Sequence, residues 1–270
     1  GAPVLPLGLL LFALLRAVFV FRSRATGTPA TSNRLPSFDS HALVFMTGAA
    51  GMGSSILLMF LYQSAFGSIF LHVGLISALF MLGLTVGGAL SAMATRDGYT
   101  RRSSVLLYLA ILLHVLFRGM IMLLSVKLSR PEFAVAFFVS GVLNGVYVPL
   151  AARRLNAARV PDTAAGAWVE AMDHLGGAAG GLTTGLVLLP VFGTSYALTV
   201  IMLLLATSAL LLWIPPRESA GASGHSPQPV RVAGYLMFGV AAFMLASGVI
   251  LHRGKAEEAK RAFLEFARTA

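Results

Sequence analysis

Eight stretches of the chain are almost entirely apolar, and each is close to the length that crosses a lipid bilayer. About 20 apolar residues in a helix span the hydrocarbon layer. Because a segment in lipid must satisfy its own backbone groups, each stretch is predicted to be a helix. The pattern therefore predicts an all-α polytopic membrane protein with about eight transmembrane helices. The stretches are 3–21, 41–66, 68–94, 104–126, 132–151, 165–190, 195–214 and 232–251.

Polar stretches divide these spans into a central group of six and two flanking helices. A stretch rich in Ser, Thr and Pro precedes the central group, and a Gly, Ser and Pro-rich stretch follows it. Both compositions are typical of linkers and loops. The predicted segments are a flanking transmembrane helix at 1–21, a polar linker at 22–40, a six-helix membrane repeat at 41–214, a flexible loop at 215–231, a second flanking transmembrane helix at 232–251 and an amphipathic tail helix at 252–270.

Composition strengthens the membrane prediction and excludes several kinds of site. The chain is 57% hydrophobic and 11% charged, whereas soluble domains carry roughly a quarter charged residues. It has no cysteine, which excludes disulfides and thiolate-bound metals. The sequence contains no catalytic triad, metalloprotease motif or phosphate-binding loop. It therefore predicts a protein that is not an enzyme.

The net charge of +10 comes largely from basic residues in short loops, and these predict an orientation. The stretches 22–40, 95–103 and 152–164 each carry three arginines. Basic loops tend to remain cytoplasmic, so the spans within 41–214 are expected to start and finish on the cytoplasmic side. The basic residues are interpreted as topology and lipid-headgroup contacts rather than a nucleic-acid surface. The expected location is a bacterial inner membrane.

Ionisable residues inside the spans are the candidates for chemistry. Glu170, Asp173 and His174 have the spacing i, i+3, i+4, which places them on one face of a helix. Such groups normally face the bundle interior and find partners there. Arg118, in the middle of its span, is the predicted partner, with His114 one turn before it. The candidate intramembrane polar cluster comprises Glu170, Asp173, His174, Arg118, His114 and Asn144.

Two interpretations of this cluster remain open from sequence. It can act as a proton relay or an ion-coupled substrate site, or it can be a buried ion pair that fixes helix register. Ligation of a haem iron requires two histidines at matching depth on facing helices, and His114 with His174 is the only pair considered. The acidic neighbours of His174 make haem an unfavoured interpretation. No cofactor or metal is predicted.

Glycines at four-residue spacing recur in three of the six central spans. This pattern lets two helices approach closely in a membrane. It predicts helix packing and is silent about chemistry. The predicted packing glycines are Gly83, Gly87, Gly141, Gly145, Gly177, Gly181 and Gly185.

Two long motifs carry a resemblance to a known family. The run GAAGMGSSILLMFLYQSAFGSIFLHVGLISALFMLGLTVGGAL and the later MDHLGGAAGGLTTGLVLLPVFG are similar to the membrane repeat of spermidine-synthase-like integral membrane proteins. In the second motif Asp173 precedes the glycines, and Pro190 and Gly193 end the span. The resemblance implies a bundle like one repeat of the major facilitator superfamily over 41–214. The sequence contains no aminopropyltransferase-like domain, so the family's aminopropyl transfer is not implied.

A single six-helix repeat leaves a packing face that facilitator-type transporters cover with a second repeat. The expected partners are therefore the lipid bilayer together with a second copy of the chain or other membrane subunits. The leading functional prediction is a non-catalytic subunit that acts as scaffold or anchor in a membrane complex. One alternative is a half-transporter that moves a small amine or cationic solute and is coupled to protons through Glu170 and Asp173. A second is an electron-transfer subunit that contacts haem or quinone.

Overall fold

The computed structural model describes residues 31–67, 73–124, 128–158 and 160–211, and these residues are almost entirely helical and contain no strand. A π-helical segment, Thr184–Phe192, joins the last two α-helices. The flanking helices, the loop at 215–231 and the tail helix that the sequence predicts lie outside the described residues. The α-helices are α1 (Thr31–Phe66), α2 (Val73–Ala94), α3 (Arg101–Leu124), α4 (Arg130–Gly145), α5 (Tyr147–Ala157), α6 (Asp162–Thr183) and α7 (Gly193–Leu211).

Five helical segments in the described part of the chain are long and apolar enough to cross a membrane, so this is an integral membrane protein. The fifth segment has 48 residues, about 70 Å of helix, which is the length of two crossings. Within this segment, the π-helix ends at Phe192 and α7 begins at Gly193, which has φ of 79°. The segments are Phe38–Phe66, Gly74–Ala94, Arg102–Ile121, Arg130–Ala157 and Asp162–Ala209.

Helix α1 begins well before the span that hydropathy predicts. It starts at Thr31, so residues 31–40 of the predicted polar linker are helical. Asp39 and Ser40 are both fully buried. The difference arises because an apolar run marks only the part of a helix that lies in hydrocarbon, whereas a helix can extend beyond it into the polar interface.

Two prolines explain where the other membrane helices change geometry. Pro149 has no backbone N–H, so the carbonyl of Gly145 loses its intrahelical donor, and α4 ends at Gly145 before α5 begins at Tyr147. Pro190 lies within the π-helical segment and removes a donor there in the same way. Both irregular segments lie within membrane-crossing stretches, which matters for the site described below.

Helix α1 is central in the described bundle and packs against α6 along a shared glycine face. The backbone of Phe45 touches Gly176, and the backbone of Ala49 touches Gly180. The second contact lies four residues further along the chain than the first on both helices, so α1 and α6 run parallel. A Cβ at either glycine would overlap the α1 backbone.

A second parallel pair, α2 and α4, is built in the same way. Gly83 meets the carbonyl oxygen of Phe138, and Gly141 meets that of Phe80. Gly87 and Gly145 repeat these contacts one turn further along, against Val142 and Leu84 respectively. The four glycines predicted for these two helices therefore lie where the two backbones meet.

On α6 the close contacts fall one residue away from the predicted glycines. A Cβ added at Gly177, or at Gly185 in the π-helical segment, would meet only side-chain atoms of α1, at 3.9 Å, and one added at Gly181 would lie 3.1 Å from the Met52 side chain. The backbone contacts belong instead to Gly176 and Gly180. A step of one residue turns a helix face by about 100°, so only one of the two interleaved glycine series meets the α1 backbone, and the other meets only α1 side chains.

Candidate functional site

The candidate site is built around Arg118 on α3, whose side chain is fully buried. Its Nη2 lies 3.0 Å from His114 Nε2, one turn earlier on the same helix. The same nitrogen donates a hydrogen bond to Ser140 Oγ on α4 at 2.7 Å. These residues, with Asn144 and Tyr147, are called the Arg118 cluster from here on.

Hydrogen bonding fixes the tautomer of His114. A guanidinium has donors only, so His114 Nε2 accepts from Arg118. The ring proton is then on Nδ1, which lies 3.2 Å from Tyr147 Oη and donates to it. The His114 and Tyr147 rings stack with centroids 5.9 Å apart. His114 is therefore neutral in this arrangement, and Arg118 is the one positive charge in the cluster.

Asn144 extends the cluster toward α1. Its Nδ2 donates to the Ser140 carbonyl oxygen at 2.8 Å. Its Oδ1 is buried and has no hydrogen-bond partner, and it would lie 2.5 Å from a Cβ placed at Gly51. The absence of a side chain at Gly51 thus makes the space into which the Asn144 amide fits.

Arg118 has more donors than partners. Its Nε and Nη1 atoms are buried without a hydrogen-bond partner, and within the described ranges it makes no ion pair with a carboxylate. Three of the five N–H groups of a guanidinium are therefore unused. A buried charge without a counter-charge is strongly destabilising, so this position is not explained by packing alone.

The cluster lies within the membrane-crossing segments of α3 and α4. Arg118 follows the start of α3 at Arg101 by 17 residues, about 25 Å along the helix axis, and precedes its end at Leu124 by 6 residues, about 9 Å. Ser140 follows the start of α4 at Arg130 by 10 residues, about 15 Å from the opposite end. That start is fixed by Ser129, whose backbone N–H donates to the Glu132 carboxylate at 2.6 Å.

The structure separates the acidic residues of the predicted cluster from Arg118. Glu170 and His174 pair with each other at 3.8 Å, and their side chains are 76% and 77% exposed. Asp173 is partly buried beside Gly48 of α1. Of the six predicted residues, Arg118, His114 and Asn144 come together, while the other three lie on α6 away from the guanidinium.

The head of α6 has the character of a membrane interface. Trp168 is 51% exposed and its ring meets the edge of His41 with centroids 5.7 Å apart. Tryptophan is enriched at bilayer–water interfaces, and Glu170 follows within one turn. His174 and His114 also lie in different surroundings, one exposed and one buried, so they do not form the facing pair that haem ligation requires.

Two members of the cluster, Ser140 and Tyr147, were not predicted from sequence. With Asn144 they have the spacing i, i+4, i+7, which places them on one helix face, and this pattern was the signal that could have found them. A third polar residue, Thr184, begins the π-helical segment and lies with its Oγ1 2.7 Å from a Cβ placed at Gly53. The three glycines of α1, Gly48, Gly51 and Gly53, thus meet polar residues from α6, α4 and the π-helical segment respectively.

Comparison with protein-family models, with curated proteins and with solved structures finds no match for this chain. The resemblance to the membrane repeat of spermidine-synthase-like proteins therefore stays a prediction from sequence. The geometry around Arg118 is the remaining basis for assigning a function.

Proposed function

We propose that this integral membrane protein translocates a small solute and that the Arg118 cluster is its central binding site. The observation that carries the proposal is the fully buried Arg118, which has unused donors within a membrane-crossing segment. Ionisable residues at such depth are costly and mark substrate or ion pathways. A scaffold has no need of this cost, because an apolar residue would pack equally well.

Irregular helix geometry near the cluster supports the same proposal. Beside Tyr147, Pro149 leaves the Gly145 carbonyl without its helical donor although Val146 keeps helical backbone angles, and the chain becomes π-helical from Thr184. Backbone groups freed in this way at membrane depth are tolerated where they are buried in protein or line a cavity. π-helical segments are also frequent at functional sites.

This proposal moves the site away from the residues favoured by sequence. The transport alternative relied on Glu170 and Asp173 as proton carriers. Glu170 faces outward beside the interfacial Trp168, whereas Arg118 bonds to His114 and Ser140 inside the bundle. Proton coupling through Glu170 is therefore not part of the function proposed here.

Single cysteines test translocation without knowledge of the solute, because the native chain has none. The test variant is Ser140→Cys, in the cluster, and the matched control is Phe137→Cys, on the same helix and fully buried among apolar residues. A transporter exposes its central site to each side in turn. We expect membrane-impermeant thiol reagents to modify Ser140→Cys from both sides of right-side-out and inverted vesicles, and Phe137→Cys from neither.

The opposite result has a clear meaning. If Ser140→Cys is unreactive from both sides while the variant is inserted and monodisperse, the cluster does not open to water. The proposal of translocation is then wrong, and a structural role for Arg118 is favoured.

A second candidate function is the scaffold or subunit role, and the exposed surface of the described bundle favours it. In the most apolar stretch of each segment, 28% is buried in α2 and 33% in Asp162–Ala209, compared with 67% in Phe38–Phe66. A partner on α2 would bring Leu82, which is 54% exposed, close to another chain. Disulfide cross-linking of Leu82→Cys, with the buried Leu57→Cys as control, distinguishes a protein neighbour from lipid.

A further inference from the structure

We propose that the Arg118 cluster binds a small monovalent oxyanion, with a carboxylate as the simplest example. Its role as the translocated solute rests on the proposed function, whereas its binding to Arg118 does not. This class is opposite in charge to the amine or cationic solute of the transport alternative that the sequence left open.

The charge balance of the cluster is the first step of the inference. Arg118 is always protonated in proteins and is fully buried. His114, Ser140, Asn144 and Tyr147 contribute no charge in the hydrogen-bond arrangement described above. Among the described residues no carboxylate reaches the guanidinium, so its counter-charge has to come from outside this cluster. A water molecule can accept a hydrogen bond there, but it cannot neutralise the charge.

The free donors are the second step. Arg118 Nε and Nη1 are both without a partner, while Nη2 is held by His114 and Ser140. Anchoring one nitrogen keeps the planar group in place and leaves three N–H groups for a ligand. Guanidinium groups favour carboxylates and phosphates because charge-assisted hydrogen bonds to planar or tetrahedral oxyanions are strong.

The third step is the valence of the ligand. The cluster holds one positive charge, because His114 Nε2 accepts from Arg118 and its ring is neutral. A monovalent anion balances this charge, whereas a dianion would leave one negative charge unpaired in the interior. A cation would face the uncompensated guanidinium directly, and the low dielectric of the interior strengthens that repulsion.

Thermal unfolding of the purified full chain tests binding with named salts. Sodium formate is the test ligand, sodium sulfate supplies a dianion, and methylammonium sulfate supplies an organic cation, all at one fixed ionic strength. We expect formate to raise Tm in a saturable way, because a ligand that binds only the folded state stabilises it by mass action, whereas sulfate stabilises proteins without saturation through its exclusion from their surface. If the formate response does not saturate, the inference is overturned.

Two variants tie the effect to Arg118. Arg118→Lys keeps the charge but loses the planar group, and we expect roughly 10- to 100-fold weaker apparent formate affinity. Arg118→Gln removes the charge and should abolish the formate response. Arg102→Gln, on the exposed start of the same helix, is the matched control and should respond like the native chain. An unchanged response in a folded Arg118→Lys would also overturn the inference.

The anion can be a free solute or the phosphodiester of an acidic lipid, and native mass spectrometry distinguishes these sources. Retention of phosphatidylglycerol by the native chain and its loss from Arg118→Gln identify the lipid, and formate competition without retained lipid identifies a solute. Cysteine accessibility at Ser140 separates this inference from the proposed function. If formate binds but Ser140→Cys is not accessible from both sides, the anion site is supported and translocation is not. If Ser140→Cys is accessible from both sides but formate does not bind, translocation is supported and the anion inference is wrong.

Discussion

A buried guanidinium that has no carboxylate partner changes the expected effect of a core substitution on stability from a loss to a gain. Removing one member of a buried ion pair is costly because it leaves the other charge uncompensated. At Arg118 the charge is already uncompensated in the described bundle. The residue is therefore expected to reduce the stability of the protein in the absence of the proposed anion.

Substitution of Arg118 by an apolar residue of similar length is expected to stabilise the ligand-free protein. Arg118→Met should raise the free energy of unfolding by about 1–4 kcal/mol, the range seen when buried charges are replaced by apolar groups. Thermal or denaturant unfolding in detergent, without small anions, measures the change. A loss of stability in Arg118→Met would show that the native charge is already compensated.

Ser140→Ala provides the complementary measurement at the same site. It keeps the charge of Arg118 but removes the hydroxyl that accepts its 2.7 Å hydrogen bond. The variant is expected to lose about 1–3 kcal/mol, because the bond is charge-assisted and buried. Opposite signs for Arg118→Met and Ser140→Ala would be hard to obtain from a purely structural polar cluster, in which both changes destabilise.

At the scale of helices, two glycine faces set how closely the parallel pairs α1–α6 and α2–α4 approach. The glycines that matter are those whose missing Cβ would meet a neighbouring backbone. Backbone atoms cannot move aside as a flexible side chain can. Each such position is therefore sensitive to a single added methyl group, and glycines one residue away are not.

Two matched pairs of alanine substitutions test this distinction. Gly180→Ala and Gly87→Ala each place a methyl group against a helix backbone, and each should cost about 1–3 kcal/mol through overpacking. Their controls are Gly177→Ala, in ordinary contact with Met52, and Gly74→Ala, with nothing within 4 Å. The controls should be neutral or stabilising by up to about 1 kcal/mol, because alanine is the better helix former. Unfolding in detergent gives all four values, and equal losses in both members of a pair would contradict the packing described.

The existence of the helices could be predicted from sequence, whereas their facing surfaces could not. The length of an apolar run can be read directly from the sequence, and it is sufficient to predict helices that can cross a membrane. Which side of a helix meets a neighbour depends on its rotation, and the step from Gly177 to Gly176 is one such difference. The partner of Arg118 depends on which residues lie close to it in the fold. The sequence therefore favoured an acidic residue, Asp173, over the uncharged Ser140.

At the scale of the whole molecule, helix direction is open to a direct test. Gln63 is exposed near the end of α1, and Asp97 is exposed in the turn after α2. Because α2 crosses between them, Gln63→Cys and Asp97→Cys should react with an impermeant maleimide from opposite sides of the membrane. The positive-inside rule places Asp97, beside Arg96, on the cytoplasmic side. Labelling of both variants from one side would contradict the arrangement of α1 and α2.

The parallel pairing of α1 with α6 has a consequence for biosynthesis. Phe45 and Gly176, which meet in the fold, are separated by 131 residues of chain. At a synthesis rate of about 5–20 residues per second, α1 waits roughly 7–25 s for its partner. During that interval the surface of α1 that later meets Gly176 and Gly180 is exposed to lipid or to the insertion machinery. Nascent chains that stall before α6 emerges are thus expected to carry an unmatched helix surface and to be early substrates for membrane quality control.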